Sequence, residues 1–156
     1  MSMNFKMLLP DFKAIGQTNW AKPEVNFKDV MGLIALGGVA TMLLCVFLPW
    51  CTVTLGPWSD PDVYLGITTW YGIFAFLFTS AAAVALLYKH YALALWIIVT
   101  TLLFAVIGCF AIPGDYTLRD LDFIIELGLD SHIGAVLFLL VTPVAAVGAF
   151  FKAIGK

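Results

Sequence analysis

The chain has 156 residues, of which 62% are hydrophobic and 12% charged, and its formal net charge is -2. Soluble domains carry charge on roughly a quarter of their residues and cannot hide this much apolar surface. The composition excludes an ordinary water-soluble domain. With no basic stripe, it also excludes a nucleic-acid-binding one.

Residues 1–29 read as a cytoplasmic N-terminal segment. Phe5, Leu8, Leu9, Phe12 and Ile15 recur at near-helical spacing beside Lys6 and Lys13. Such a stripe suits the membrane interface or a docking partner, and the alternative is a loosely structured tail. Pro10 falls inside it and limits any helix there to short pieces. No cleavable signal peptide is expected, because the first apolar run starts near residue 30 and is too long for a signal core.

Four apolar runs follow, over about 30–50, 69–88, 91–112 and 133–151. Each is close to the ~20 residues that cross a bilayer, and none carries an ionisable residue in its interior. The fold class expected is therefore all-α integral membrane, with four transmembrane helices as two antiparallel hairpins. The transmembrane domain covers 30–152, and 153–156 is a cytoplasmic tail. In the first run Gly37, Gly38 and Thr41 are small residues that let helices approach closely in lipid. That run ends at Pro49 and Trp50, with Trp50 expected at the interface level.

The first outer loop holds Gly56-Pro57 and Asp60-Pro61 turn signals, and its Thr52–Leu55 alternation allows a short extended piece. The second and third runs are joined only by Lys89 and His90 in a tight turn, so they are antiparallel neighbours. The second outer loop predicts a short amphipathic outer helix near 118–127. Its Leu121 and Ile125 join Phe5, Leu9 and Phe12 as candidate peripheral contacts. Pro143 in the fourth run is expected to kink that helix.

"LGITTWYG" at 65–72 and "LGLDSHIG" at 127–134 share a Leu-Gly pair and a second glycine, Gly72 and Gly134, each at the start of an apolar run. Two readings stand: a 2+2 internal repeat, or glycines placed independently where a loop enters a crowded helix contact. Both make Gly72 and Gly134 packing residues rather than chemical ones.

Topology follows from the basic residues. Lys6, Lys13, Lys22, Lys28, Lys89, Lys152 and Lys156 all fall on the side of the termini and the central turn, and only Arg119 falls opposite. The positive-inside rule then places both termini in the cytoplasm, with a bacterial inner (plasma) membrane as the expected location.

Chemistry is hard to find. His90 and His132 lie a membrane apart and cannot share a haem. Asp60, Asp62 and Asp130 lack the ligand count of a calcium loop. Cys45, Cys51 and Cys109 fit no zinc spacing, though Cys51 and Cys109 could pair on the oxidising side. No catalytic, cofactor-binding or metal-binding residue is expected, and no cofactor. In outline the four spans and a first outer loop bearing Trp50, Cys51 and Trp58 resemble claudins, whose loop has a Trp and two cysteines. The second cysteine is absent here, the likeness is one of topology, and it lends no site residue.

The expected function is that of a small non-enzymatic membrane protein, a structural or accessory subunit of a larger complex. Expected partners are membrane lipids and other membrane protein subunits, with a homo-oligomer as a further possibility and no nucleic acid. The alternative is an oligomeric channel or transporter for an uncharged or lipid-like solute, favoured by the repeat and Pro143.

Overall fold

The computed structural model describes residues 5–20, 23, 28–53, 62–110 and 133–155. Side chains are described from residue 7 onward, except at 51–53, 62–64 and 108–110. The predicted outer helix near 118–127, with Leu121 and Ile125, lies outside the described residues, as do Asp60, Asp130 and His132.

The N-terminal stretch forms a 3₁₀ turn, Phe5–Leu8, and a short helix α1, Phe12–Gly16, with the break at Pro10 between them. Asp11 caps α1: its Oδ1 accepts from the backbone N–H of Lys13 at 3.0 Å and of Ala14 at 3.1 Å. Asp29 similarly caps α2, Val30–Cys45, accepting from Gly32 N at 3.1 Å.

Helix α2 stops at Cys45, short of the expected Trp50. The chain turns over Val46–Leu48 and enters strand β1, Pro49–Val53, which pairs antiparallel with β2, Asp62–Leu65. Pro49 tolerates this place because it opens the strand and donates no ladder bond. The register runs Cys51↔Tyr64 and Val53↔Asp62 but jumps to Pro49↔Leu65, leaving Trp50 as an extra residue on β1. Such a bulge re-aims a side chain. This small hairpin is an addition to an otherwise helical fold.

After β2, a 3₁₀ turn at Gly66–Thr68 folds back on the end of α2 through Gly66 N to Leu48 O, 3.1 Å, and Ile67 N to Val46 O, 2.8 Å. Thr69 then caps α3, Trp70–Leu87: its hydroxyl accepts from Gly72 N and donates to Gly66 O. Helix α4 covers Tyr91–Phe110. Helix α5, Ile133–Ile154, runs unbroken through Pro143 and past the expected end at 151.

The helices pack as a ring, α2 on α3, α3 on α4, α4 on α5 and α5 on α2. The most extensive contacts are α2 with α5 and α3 with α4, rather than the two hairpins α2–α3 and α4–α5. Asp29, before α2, meets Lys152 near the end of α5, whose ammonium lies over the ring of Tyr91 at the start of α4. The four helices therefore alternate in direction. Two of them, α3 and α5, are long and apolar enough to cross a membrane; α2 and Tyr91–Ile107 of α4 are apolar and shorter.

The interior is built of small residues. Ala35, Ala75, Ala82, Ala94, Ala145 and Ala149 are fully buried, with Val39, Met42, Ile98 and Phe138 filling the space between. Helices α2 and α5 touch almost backbone to backbone. A Cβ on Gly38 would lie 2.7 Å from Ala145 Cβ, and one on Gly148 would lie 2.7 Å from Ala35 N. Leu44, Leu77, Leu103, Val136, Leu140 and Val144 are exposed.

Candidate functional site

The expected packing residues separate into two groups. Gly38, Gly72 and Gly134 are buried at close contacts. Gly37 is not: it faces outward with nothing within 4 Å of an added Cβ. Thr41 is also exposed, and its hydroxyl donates back to Gly37 O of its own helix at 2.9 Å. The inward contact is made one residue over, by Gly38. Pro143 lies on the exposed face of α5, beside the buried Thr142.

The glycine at the start of α3 and that at the start of α5 have different neighbours. A Cβ on Gly72 would fall on the carbonyl of Gly66 in the 3₁₀ turn. One on Gly134 would lie 2.7 Å from Trp50 Cδ1. Trp50 is thus buried at the end of the bundle. It is only 3% exposed, with its Nε1 donating to Cys45 O at 2.8 Å. Its ring lies against Tyr71 at 5.8 Å and Phe138 at 5.2 Å between centroids. The bulge turns the indole into the bundle end, where glycines from the turn and from α5 make room for it.

Three threonines, Thr79, Thr101 and Thr142, are fully buried near the middle of α3, α4 and α5. Thr101 donates to Ile97 O at 2.8 Å and Thr142 to Phe138 O at 2.6 Å, the i−4 bonding expected of hydroxyls in apolar helices. Thr79 Oγ1 has no hydrogen-bond partner among the described residues.

The charged side chains whose contacts are described gather at the end of the bundle that carries the termini. The Lys152 ammonium is 2.8 Å from Asp29 and 5.3 Å from the Tyr91 ring centroid. The hydrogen bond from Lys152, helped by the Gly32 N–H, holds the Asp29 carboxyl below the usual carboxylate range despite some desolvation. The N-terminal segment folds onto this end. Trp96 Nε1 donates to Leu8 O at 2.8 Å, and Tyr88 OH donates to Trp20 O. Thr18 Oγ1 lies 2.7 Å from His90 Nε2. The Thr18 hydroxyl donates its single hydrogen to Ala14 O at 2.8 Å, so His90 donates to it through Nε2.

No family model, curated protein or solved structure matches this chain.

Between the segment and the α3–α4 turn lies a cleft of about 300 Å³. Asp11, Lys89, His90 and Tyr91 give it a polar lining, and Met7, Leu9, Ala14, Leu93 and Ala153 an apolar one. Among the expected peripheral residues, Leu9 lines this cleft while remaining 63% exposed, and Phe12 is 74% exposed. The side chain of Phe5 lies outside the described residues.

The turn itself is unusual. His90 N bonds Ala85 O at 2.8 Å and Lys89 N bonds Leu86 O at 3.0 Å, the paired bonds of a Schellman cap. The left-handed residue that this cap needs is Lys89, with φ of 61°. Glycine usually takes that place because a Cβ there costs roughly 1–2 kcal/mol. The cleft was not foreseen from the sequence, although "YKHY" marked the turn. Which upstream segment covers that turn is a tertiary matter.

Proposed function

We propose that this chain is an integral membrane protein whose four helices all span, with both termini in the cytoplasm. It serves as a non-enzymatic structural or accessory subunit of a larger assembly in a bacterial inner membrane. The observation that carries the reading is the inverted helix bundle. Alanine, glycine and threonine face inward, while Leu44, Leu103 and Leu140 are each more than half exposed. In water that outer surface would be a large uncovered apolar patch, whereas lipid is its matching solvent. The lengths of α2 and α4 fit the same picture: residues 46–50 continue the first apolar run as a turn and strand, so the hydrophobic stretch exceeds the helix.

The accessory role is supported by where the polar chemistry sits. The ion pair joins helix ends, the side-chain bonds of Trp50 and Trp96 serve packing, and the buried hydroxyls of Thr101 and Thr142 bond their own helices. Mild-detergent extraction from native membranes followed by native mass spectrometry tests the role. Other chains in fixed ratio support it, and a lone chain or closed homo-oligomer overturns it. In the latter case the alternative of a channel for an uncharged solute comes forward, and reconstituted flux sensitive to Thr142→Val would be its evidence.

A further inference from the structure

We propose that the N-terminal segment is a strap lying in the cytoplasmic interface of the bilayer, with Leu9 and Phe12 inserted among the acyl chains. The inference rests on the membrane reading above and commits the segment to one partner, a lipid surface. Its place along the bundle comes from a hydrogen bond. Trp96, on the second turn of α4, donates its indole N–H to Leu8 O at 2.8 Å. Side chains on a helix lean toward its N-terminus, so this indole covers the flank of the first turn. The carbonyl of Leu8 therefore sits beside α4 and not beyond its end. The 3₁₀ turn Phe5–Leu8 also touches α5, and the Leu8 side chain packs against the buried core. The strap is thus laid over α4 and α5 at the level of Tyr91 and Lys152, where the charged end of the bundle begins.

The residues at that level are those of a membrane interface. Trp20 meets Tyr88 at 4.7 Å between ring centroids, and the Tyr88 hydroxyl donates to Trp20 O. Tryptophan and tyrosine gather where headgroups meet acyl chains, because their rings are apolar and their N–H and O–H groups polar. The strap also continues the apolar outer surface of α4. Trp96, Leu103 and Ile107 are all exposed, and their spacing sets them on one face of that helix. The strap is tied to the Trp96 end of this face. Its Leu8 is held inward, while Met7, Leu9 and Phe12 are exposed. Helix α1 has five residues and buries none of them. A helix that short does not stand alone in water, and an apolar layer against Phe12 supplies the support that the core does not.

The test uses the full chain in vesicles of dioleoyl-phosphatidylcholine and dioleoyl-phosphatidylglycerol in equal parts. The photoreactive residue p-benzoyl-phenylalanine replaces Leu9, Phe12, Gln17 or Leu77, one at a time. Adducts formed on illumination are read by intact-chain mass spectrometry. By helical spacing Gln17 falls away from Phe12. Leu77, exposed at the middle of α3, reports on the membrane reading alone. Replacement at Leu9 and at Phe12 should give phospholipid adducts, with roughly fivefold more at Phe12 than at Gln17. No phospholipid adduct at Leu9 and Phe12, or as much at Gln17 as at Phe12, overturns the strap as a lipid-facing element. Crosslinks between two chains at Leu9 and Phe12, in place of lipid, overturn it in favour of a second copy. A lipid adduct at Leu77 with none at Leu9 and Phe12 sinks only the strap. Absence of lipid adduct at Leu77 as well sinks the membrane reading, and the strap with it.

Discussion

The indole of Trp50 sits directly against the backbone of Gly134, close enough that a Cβ there would lie 2.7 Å from its Cδ1. A residue at the start of one strand and a residue at the start of α5 thus fit as one contact. Gly66 completes it from the other side, with an added Cβ 2.6 Å from both Trp50 Nε1 and Val46 O. Gly134→Ala and Gly66→Ala should each cost about 1–3 kcal/mol through overpacking. Gly37→Ala, on the open face of α2, should be neutral or stabilising by up to about 1 kcal/mol. Thermal unfolding of the three variants in one detergent checks the contrast. Equal effects would mean that the glycines act through helix propensity alone.

Trp50 can be examined from its own side. Trp50→Phe keeps most of the ring packing against Tyr71 and Phe138 but leaves Cys45 O without the indole donor. Cys45 O keeps its bond from Leu48 N at 3.1 Å, so a loss of about 0.5–1.5 kcal/mol is expected, the net contribution of one intramolecular hydrogen bond. Trp50→Ala should cost more, about 3–5 kcal/mol. A Trp50→Phe variant as stable as the parent would show that the indole N–H contributes nothing.

The Asp29–Lys152 pair links the start of α2 to the end of α5, and its pH dependence has a definite sign. The folded carboxyl titrates below its usual value of 3.8, mainly because Lys152 donates to it. Its contribution is therefore complete above about pH 4–5 and lost as pH falls through the depressed folded value. The pair is partly exposed, so the ion pair itself supplies only about 0.2–1 kcal/mol. Melting temperatures of the parent and Asp29→Asn should differ at pH 7 and converge near pH 3. Asparagine still caps α2, so the difference isolates the charge. A constant gap across that range would refute the linkage.

Thr79 offers a test of the interior. Its hydroxyl is fully buried and has no partner among the described residues, while Thr101 and Thr142 bond their own helices. Thr79→Val preserves the shape and removes the unmet group, so it should stabilise the bundle by about 1 kcal/mol. Thr142→Val removes a satisfied hydroxyl and should change stability less. If Thr79→Val destabilises instead, the hydroxyl has a partner beyond the described residues.

Much of the helical plan was legible in the chain itself. Runs of apolar residues without charge mark α2 to α5, and three of them open where expected, at Val30, Tyr91 and Ile133. Pro10 marks the break in the N-terminal segment, and Lys89-His90 the tight turn, because proline and short polar joints act locally. The end of α2 was not legible. "FLPW" looks like the continuation of an apolar span, and only pairing with β2 shows that Trp50 is the odd residue of a bulge. A strand needs its partner, which lies beyond a loop.

Hydrophobicity alone thus determined that this chain forms apolar helices. Which side of each helix faces in was decided by tertiary structure. Gly37 and Gly38 are adjacent and chemically identical, yet Gly38 meets Ala145 and Gly37 meets open space. A helix that is apolar all round has no amphipathic stripe to announce its inner face. The choice is made where small residues on two helices can approach together, and that depends on the partner helix as much as on the residue.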